Sequence, residues 1–219
     1  MLYLQCCTWC VTVVFLHQEC TKMHIDKAIN YLASDAEFDS LFPVHIQKLS
    51  AVHWTPLNVA AVAARFLAPD ASSRVLDIGA GVGKFCIAGS MYTKGTFTGI
   101  EQRKNFVNIG NKVIYQMGLQ RASLVFGNFL EFPVTGFTGI YFFNSFHENL
   151  VFSDALDNKI EMSEELYRLY SDGFIRCLHA MPVGTRLATF WLSITEIPDC
   201  YRQQESYFNN LLRLWVKER

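Results

Sequence analysis

The 219-residue sequence predicts one α/β domain in which helices cover a doubly wound, mostly parallel sheet. Three observations predict this class. Strand-like and helix-like segments alternate from residue 73 onward, and a glycine-rich turn directly follows the first strand-like segment. The stretch 201–217 alternates about Asn209-Asn210, which favours a closing β-hairpin.

Composition and charge argue against three classes of protein: disordered chains, nucleic-acid-binding proteins and membrane-spanning proteins. Hydrophobic residues make up 51% of the chain and charged residues only 18%, a balance that excludes a disordered chain. Nineteen basic and twenty acidic residues give a net charge of -1, so a nucleic-acid partner is not expected. No apolar run reaches the roughly 18 residues that a membrane span needs. We therefore expect a compact domain that acts away from membranes.

Residues 1–22 form an atypical N-terminal extension, apolar and rich in cysteine. Four of its residues have the spacing C-x2-C-x6-H-x2-C, which could bind zinc: Cys7, Cys10, His17 and Cys20. The apolar run Val11–Leu16 inside that spacing favours burial instead, so no metal site is predicted. A third interpretation places the true start at Met23. The extension lacks the leading Lys or Arg of a secretory signal, and the seven cysteines then favour a reducing, cytoplasmic compartment.

Residues 23–68 are predicted to form a helical cap in front of a domain spanning 69–219. Thr55 followed by Pro56 is a strong helix start, because a hydroxyl caps the helix and proline suits its first turn. The helix that follows, Leu57–Leu67, is nearly all apolar and should be buried. Trp54, just before it, suits either the lining of a cleft or ordinary packing.

The remaining elements follow from hydrophobic period and turn residues. The predicted strands are 74–78, 96–100, 123–126, 139–143, 186–192, 201–208 and 211–217. The predicted helices are 82–92, 104–117 and 163–178, the last with Asp172-Gly173 as a candidate interruption.

The glycine-rich turn places backbone close to a ligand at the carboxyl edge of the sheet. Its glycines stand at every second position, as Gly79, Gly81 and Gly83. A P-loop is excluded, because Ile78 and Phe85 occupy the positions of a required glycine and a required Ser or Thr. A dinucleotide fingerprint needs its third glycine where this chain has Lys84. We expect the Lys84 side chain to be exposed.

Two carboxylates accompany this turn. Asp77 lies inside the apolar first strand, where burial is costly unless a cation pairs with it. Glu101 ends the second strand, where a carboxylate can accept hydrogen bonds from both hydroxyls of a ribose. NAD enzymes share the second feature, so an NAD(P)-dependent oxidoreductase stays open as an alternative.

With these motifs the chain, over about residues 55–217, resembles the class I, seven-strand methyltransferases that use S-adenosylmethionine. The resemblance implies a Rossmann-like seven-stranded sheet with an antiparallel C-terminal hairpin. It implies that the glycine turn packs against the methionine part of the cofactor and that Glu101 binds its ribose. The segment after the third strand then implies Asn128 at the adenine amino group and Phe129 as a flanking apolar wall.

The resemblance places the methyl-transfer site after the fourth strand. Asn144 could hold an acceptor amine, Phe146 could wall the site, and His147 is either a general base or a surface residue. Two motifs of the chain are most similar to those of the histone-lysine methyltransferases that lack a SET domain, namely Asn-Ser-Phe and Asp-Ile-Gly-Ala-Gly-Val-Gly. The Asn-Pro-Pro-Tyr motif of amino-adenine and glutamine methyltransferases is only half matched, because Ser145 and Phe146 replace the prolines.

The expected activity is methyl transfer to a small molecule or a protein side chain. A non-catalytic relative that keeps the cofactor pocket is a second alternative. Cys86, inside the first crossover helix, is expected to be a small buried side chain. Neither the acceptor nor the oligomeric state follows from the sequence.

Overall fold

The computed structural model describes residues 34–146, 163–192 and 197–219. The N-terminal extension, its cysteine-histidine spacing and the start of the helical cap lie outside these residues. His147 also lies outside them. Within the described ranges, no helix is both long enough and apolar enough to cross a membrane.

Seven strands form one sheet in the order β3-β2-β1-β4-β5-β7-β6. The strands are β1 Arg74–Ile78, β2 Thr96–Glu101, β3 Ala122–Phe126, β4 Gly139–Phe143, β5 Arg186–Phe190, β6 Tyr201–Tyr207 and β7 Leu212–Lys217. The first five pair in parallel, and β7 is antiparallel to both of its neighbours. The predicted doubly wound sheet with a C-terminal antiparallel hairpin is confirmed.

Helices precede the sheet and cover both of its faces. Those in the described residues are α1 Asp35–Asp39, α2 Val44–Gln47, α3 Ser50–His53, α4 Leu57–Leu67, α5 Lys84–Tyr92, α6 Lys104–Gln116 and α7 Glu164–Ala180. A 3₁₀ turn, Phe129–Glu131, follows β3. The helix predicted at Leu57–Leu67 has those bounds and is buried along most of its length.

Strand alternation divides the apolar residues into two cores. Val75 of β1 and Tyr141 of β4 face the core beneath α4, α5 and α6. Leu76 and Ile78 face the second core, beneath α7. Asp77 lies two residues after Val75 and opposite Tyr141 in the parallel register, so its carboxylate is directed to the α4–α5 face.

Two element ends and one predicted interruption differ from the sequence expectation for local reasons. Helix α5 begins at Lys84 rather than at residue 82, because Gly83 precedes it with a left-handed φ of 80°. Strand β5 ends at Phe190, because Trp191 also has a left-handed backbone. Helix α7 runs without a break through Gly173, where a Cβ atom would lie 2.1 Å from the Leu130 side chain. That glycine permits close packing instead of ending the helix.

The C-terminal hairpin is fixed to α7 by a buried cation. The Lys217 ammonium donates hydrogen bonds of 3.2, 2.6 and 2.6 Å to the carbonyls of Leu178, His179 and Met181. These carbonyls lie at the C-terminal end of α7, where a positive charge is favourable. The hairpin therefore closes the sheet next to β5.

Candidate functional site

The glycine turn connects β1 to α5 at the carboxyl edge of the sheet. Gly79, Gly81 and Gly83 have φ values of 74°, 56° and 80°, a region that residues with a Cβ atom rarely adopt. The amides of Gly79 and Ala80 donate hydrogen bonds of 3.0 and 3.1 Å to the Ile100 carbonyl of β2. The turn is therefore held against the second strand.

Two of these glycines have different surroundings. A Cβ atom on Gly79 would lie 2.4 Å from the Ser145 Cβ, whereas a Cβ atom on Gly81 would meet no atom within 4 Å. Ser145 follows β4, and its hydroxyl donates a 2.7 Å hydrogen bond to the Ile78 carbonyl. Gly79 thus permits contact between the loops after β1 and β4, while Gly81 leaves open space beside the turn.

Asp77 is 4% exposed. The Cys86 thiol donates a 3.6 Å hydrogen bond to its carboxylate, and Cys86 is buried as predicted. No cation among the described residues forms an ion pair with Asp77. The pKa of Asp77 is raised from 3.8 to about 7, mainly by burial; the thiol hydrogen bond opposes this shift and the negative charge of Glu101 adds to it. The site is thus suited to a ligand that is positively charged at this point.

Glu101 ends β2 and is also 4% exposed. Its carboxylate accepts hydrogen bonds from the Gly81 amide at 3.0 Å and the Arg103 amide at 2.7 Å. The Arg103 guanidinium lies 3.7 Å from the same carboxylate. Glu101, which is predicted to bind a ribose, therefore also holds the glycine turn in place, a role that the sequence did not indicate.

Asn128 and Phe129 follow β3, the next strand along this edge. The Asn128 side-chain oxygen accepts a 3.0 Å hydrogen bond from the Leu130 amide and so caps the 3₁₀ turn. This bond uses one lone pair of the side-chain oxygen, the atom that the resemblance assigns to the adenine amino group. Phe129 is buried and lies 6.2 Å from Phe146, centroid to centroid.

A cleft opens on the α4–α5 face between the glycine turn and β4. Its lining includes Asp77, Gly79, Trp54, Thr55 and Tyr141. The Thr55 hydroxyl and the Tyr141 hydroxyl are 2.9 Å apart, and burial raises the pKa of Tyr141. Trp54 is buried as well, so it both packs and lines the cleft. The start of α4 and the middle of β4 thus belong to the site.

Lys84 is not exposed, contrary to the sequence expectation, because it is paired with two carboxylates of α1. Its side chain is 3% exposed, and its ammonium lies 2.6 Å from Asp35 and 2.7 Å from Asp39. The ammonium also lies 5.6 Å from the Trp54 ring centre. Asp35 in turn accepts a 3.1 Å hydrogen bond from the Leu57 amide at the start of α4. This buried charge network fastens α1 and α4 to the glycine turn.

The predicted acceptor residues follow β4. Asn144 has a left-handed φ of 40°, and its carboxamide has no hydrogen-bond partner among the described residues. Phe146 is buried against Phe142, Phe174 and Tyr170, on the α7 side of the sheet. His147 lies outside the described residues.

Sequence reasoning missed three side chains of this site: Thr55, Lys84 and Tyr141. The prediction that the Thr55 hydroxyl caps α4 is wrong, because that hydroxyl bonds Tyr141 and no side chain caps the helix. Lys84 is predicted from the sequence only as a charge beside a helix end. Asp35 and Asp39 are four residues apart, a spacing that places both on one helix face and could have indicated a shared cation. Tyr141 resembled any other apolar strand residue.

Comparison with known proteins gives structural likeness only. No protein-family model and no curated protein sequence matches the chain. An RNA methyltransferase from Salinibacter ruber, in complex with S-adenosyl-L-homocysteine, matches with a TM-score of 0.54 and 16% identity, over 75% of this chain and 94% of that one. TrmN from Thermus thermophilus matches with a TM-score of 0.56 and 16% identity, over 78% of this chain and 51% of its own length.

The Escherichia coli protein yhhF matches with a TM-score of 0.51 and 15% identity, over 74% of this chain and 86% of that one. This chain spans about half the length of TrmN and most of the other two. At such low identity the likeness shows the fold, which is the Rossmann-like sandwich of these structures.

Proposed function

We propose that this chain is a methyltransferase that uses S-adenosylmethionine. One observation carries the proposal. Two buried carboxylates, Asp77 and Glu101, lie at the ends of adjacent strands on either side of a glycine turn, and Asp77 lines the cleft. The fold likeness to an RNA methyltransferase solved with S-adenosylhomocysteine supports the same cofactor.

The chemistry of these side chains fits this cofactor. Its amino acid part carries an ammonium group, and the methylated form adds a sulfonium. Burial disfavours the charged form of Asp77, and a cation bound beside it would restore that form. The open space at Gly81 would admit the methionine part, and Asn128, whose oxygen already accepts from the Leu130 amide, would bind adenine through a further hydrogen bond.

The strand order argues against the nicotinamide alternative. Dinucleotide-binding domains of this type have six parallel strands in the order 3-2-1-4-5-6. Here the antiparallel strand β7 lies between β5 and β6. The glycines also repeat as G-x-G-x-G rather than G-x-G-x-x-G. Both features favour a mononucleoside cofactor.

When bound, S-adenosylmethionine would supply an electrophilic methyl group that the acceptor's lone pair displaces from sulfur, and the sulfur would keep the electron pair of the broken bond. The chain would orient the cofactor and the acceptor relative to each other and exclude water from the cleft. Asp77 and the glycine turn would fix the cofactor, and Asn144 would accept a hydrogen bond from the incoming amine. Thr55 and Tyr141 would close the α4 side of the cleft.

A small-molecule acceptor is favoured over a nucleic acid, because the net charge of -1 offers no surplus of cations for a phosphate backbone. The likeness to the histone-lysine enzymes without a SET domain extends to the cofactor motifs only, and no described contact favours a histone. His147 remains a hypothesis for the general base.

A matched pair of glycine variants tests the cofactor site. Gly81 and Gly118 both have a left-handed φ, and a Cβ atom on either would meet nothing within 4 Å. Gly81→Ala and Gly118→Ala should therefore each lower the free energy of unfolding by about 1–2 kcal/mol. Only Gly81→Ala should weaken S-adenosylhomocysteine binding, by about tenfold or more, because its new methyl group occupies the cofactor's space.

Calorimetry with S-adenosylhomocysteine and with NAD reads out the affinities, and urea unfolding reads out the stabilities. Equal affinity in the two variants would contradict the placement of the cofactor at Gly81. Binding of NAD but not of S-adenosylhomocysteine would favour the oxidoreductase. Binding without methyl transfer from labelled S-adenosylmethionine to any component of a cell extract would favour the non-catalytic relative.

A further inference from the structure

The carboxyl edge of the sheet carries a second group of unusual residues, away from the glycine turn. Among the described residues, five that are not glycine have a left-handed backbone: Asn144, Trp191, Phe208, Asn209 and Asn210. They follow β4, follow β5, or form the turn between β6 and β7. Because β7 is antiparallel to β5, all five lie at the same edge of the sheet.

Trp191 is the outlier of this group. Asparagine tolerates the left-handed region and hairpin turns require it, but a bulky side chain rarely adopts it. The Trp191 φ is 62°, and its amide donates a 2.8 Å hydrogen bond to the Leu211 carbonyl of the hairpin turn. Such strain is kept where the surrounding structure enforces it, often at ligand sites.

The strained backbone determines where the indole lies. Regular alternation after Phe190 would direct residue 191 to the α7 face of the sheet. Instead its ring lies 6.1 Å from Phe190 and 6.4 Å from Phe143, both on the opposite face, and is nearly parallel to Phe143 at 14°. Phe143 lines the cleft and directly precedes Asn144. The indole is therefore placed beside the cleft opening.

The indole is also accessible. Trp191 is 59% exposed, whereas Phe190 beneath it is 6% exposed and packs edge-to-face on Phe143 at 4.7 Å. A large aromatic side chain held in one orientation on a buried aromatic support offers a flat apolar surface to a ligand. We call Phe143 and Trp191, supported by Phe190, the aromatic shelf.

We propose that the aromatic shelf binds the methyl acceptor, and that this acceptor is a small planar heteroaromatic amine that lies flat against Trp191. The inference rests on the proposed methyltransferase function and specifies its substrate class. Asn144 directly follows Phe143 of the shelf, and its carboxamide, which has no hydrogen-bond partner within the described part of the chain, would accept from the amino group of the bound ring. The net charge of -1 favours a single ring of nucleoside size over a ring within a nucleic acid strand.

Binding of 2-aminopurine riboside, a fluorescent planar amine, tests the shelf without the need for turnover. The full chain is titrated with this probe in the presence of saturating S-adenosylhomocysteine, which blocks the cofactor's own adenine site. Trp191→Ala should weaken probe binding about tenfold or more, the usual loss for removal of one stacked aromatic partner. Trp191→Phe, which keeps a ring, should stay within about threefold of the natural chain.

The affinity for S-adenosylhomocysteine is measured in the same variants and should be unchanged, because Trp191 is not among the cofactor-side residues. That measurement also shows that each variant is folded. Unchanged cofactor affinity together with equal probe affinity in Trp191→Ala would overturn the shelf and leave the proposed function intact. No S-adenosylhomocysteine binding by the natural chain would overturn the proposed function instead, while the probe titration still tests the shelf.

Two other occupants give distinct results, and each overturns the proposal. A single-stranded oligonucleotide that binds far more tightly than the nucleoside, with a steep salt dependence, would make the shelf a nucleic acid surface. A dimer in sedimentation velocity that Trp191→Ala dissociates would make it an interface between two copies of the chain.

Discussion

The two halves of the sheet's carboxyl edge differ in the kind of residue that adopts a left-handed backbone. Over β1 the left-handed positions are Gly79, Gly81 and Gly83, whereas over β4, β5 and the hairpin the left-handed residues carry side chains. Glycine adopts this region at little cost, and other residues adopt it at a cost of about 1 kcal/mol or more. The glycines of the first half permit close contacts within the protein at Gly79 and leave open space at Gly81, whereas the second half keeps its side chains in spite of the strain.

This difference predicts opposite responses to opposite substitutions. A side chain added in the glycine half should destabilise the protein, and a glycine introduced in the other half should not. Removal of a buried charge in the glycine half should change the free energy of unfolding by an amount that depends on pH. The three variants below test these points in order of decreasing effect on stability.

Gly79→Ala should have the largest effect. The new Cβ atom would lie 2.4 Å from the Ser145 Cβ, and the φ of 74° disfavours any residue with a side chain. We expect a loss of about 3–4 kcal/mol in the free energy of unfolding, from strain and overpacking together. Urea unfolding measures it, with Gly184→Ala as the control, since that glycine has a φ of 87° and open space around it. Equal losses in the two variants would contradict the contact between the loops after β1 and β4.

Asp77→Asn should stabilise the protein in the absence of ligand, in a manner that depends on pH. The pKa of Asp77 is about 7 in the folded chain and 3.8 for an exposed carboxyl. Between these values the folded state holds a proton that the unfolded state lacks, so the natural chain loses stability as pH rises from about 4 to about 7. The asparagine variant is spared this loss, and its advantage should reach about 2–4 kcal/mol at pH 8.

Denaturant unfolding at pH 4.5 and pH 8 measures that advantage, which should fall to about a quarter of its size at the lower pH. Burial raises the pKa of the Cys86 thiol and of the Tyr141 hydroxyl well above their ordinary values, so neither group titrates between pH 4.5 and pH 8. The same variant should bind S-adenosylhomocysteine more weakly, because the carboxylate that would face its ammonium group is gone. An advantage of the same size at both pH values would show that Asp77 is not the titrating group.

Asn144→Gly should have the smallest effect on stability. Glycine relieves the strain at a φ of 40° but loses more conformational entropy on folding, so we expect a change within about 0.5 kcal/mol. S-adenosylhomocysteine affinity should stay the same, and labelled methyl incorporation into a cell extract should fall strongly. A destabilisation as large as that of Gly79→Ala would remove the contrast between the two halves.

The sequence predicted the glycine half better than the acceptor half, for a physical reason. Gly79, Asp77 and Glu101 contrast with their apolar neighbours, and strand periodicity alone placed them at one edge. Trp191 was predicted to lie within a regular strand, because nothing in a run of apolar residues indicates a left-handed backbone. Lys84 was expected to be exposed, because its partners Asp35 and Asp39 come from a distant segment that local patterns cannot reach.

The ion pairs of Lys84 also bear on how the chain assembles during its synthesis. Asp35 leaves the ribosome 49 residues before Lys84 and Asp39 leaves 45 residues before it, so both carboxylates must wait for their common partner. At usual translation rates this delay is roughly 2–10 s, during which both carboxylates lack this partner. The earliest segment of the described chain thus completes its ion pairs only after β1 and the glycine turn have emerged.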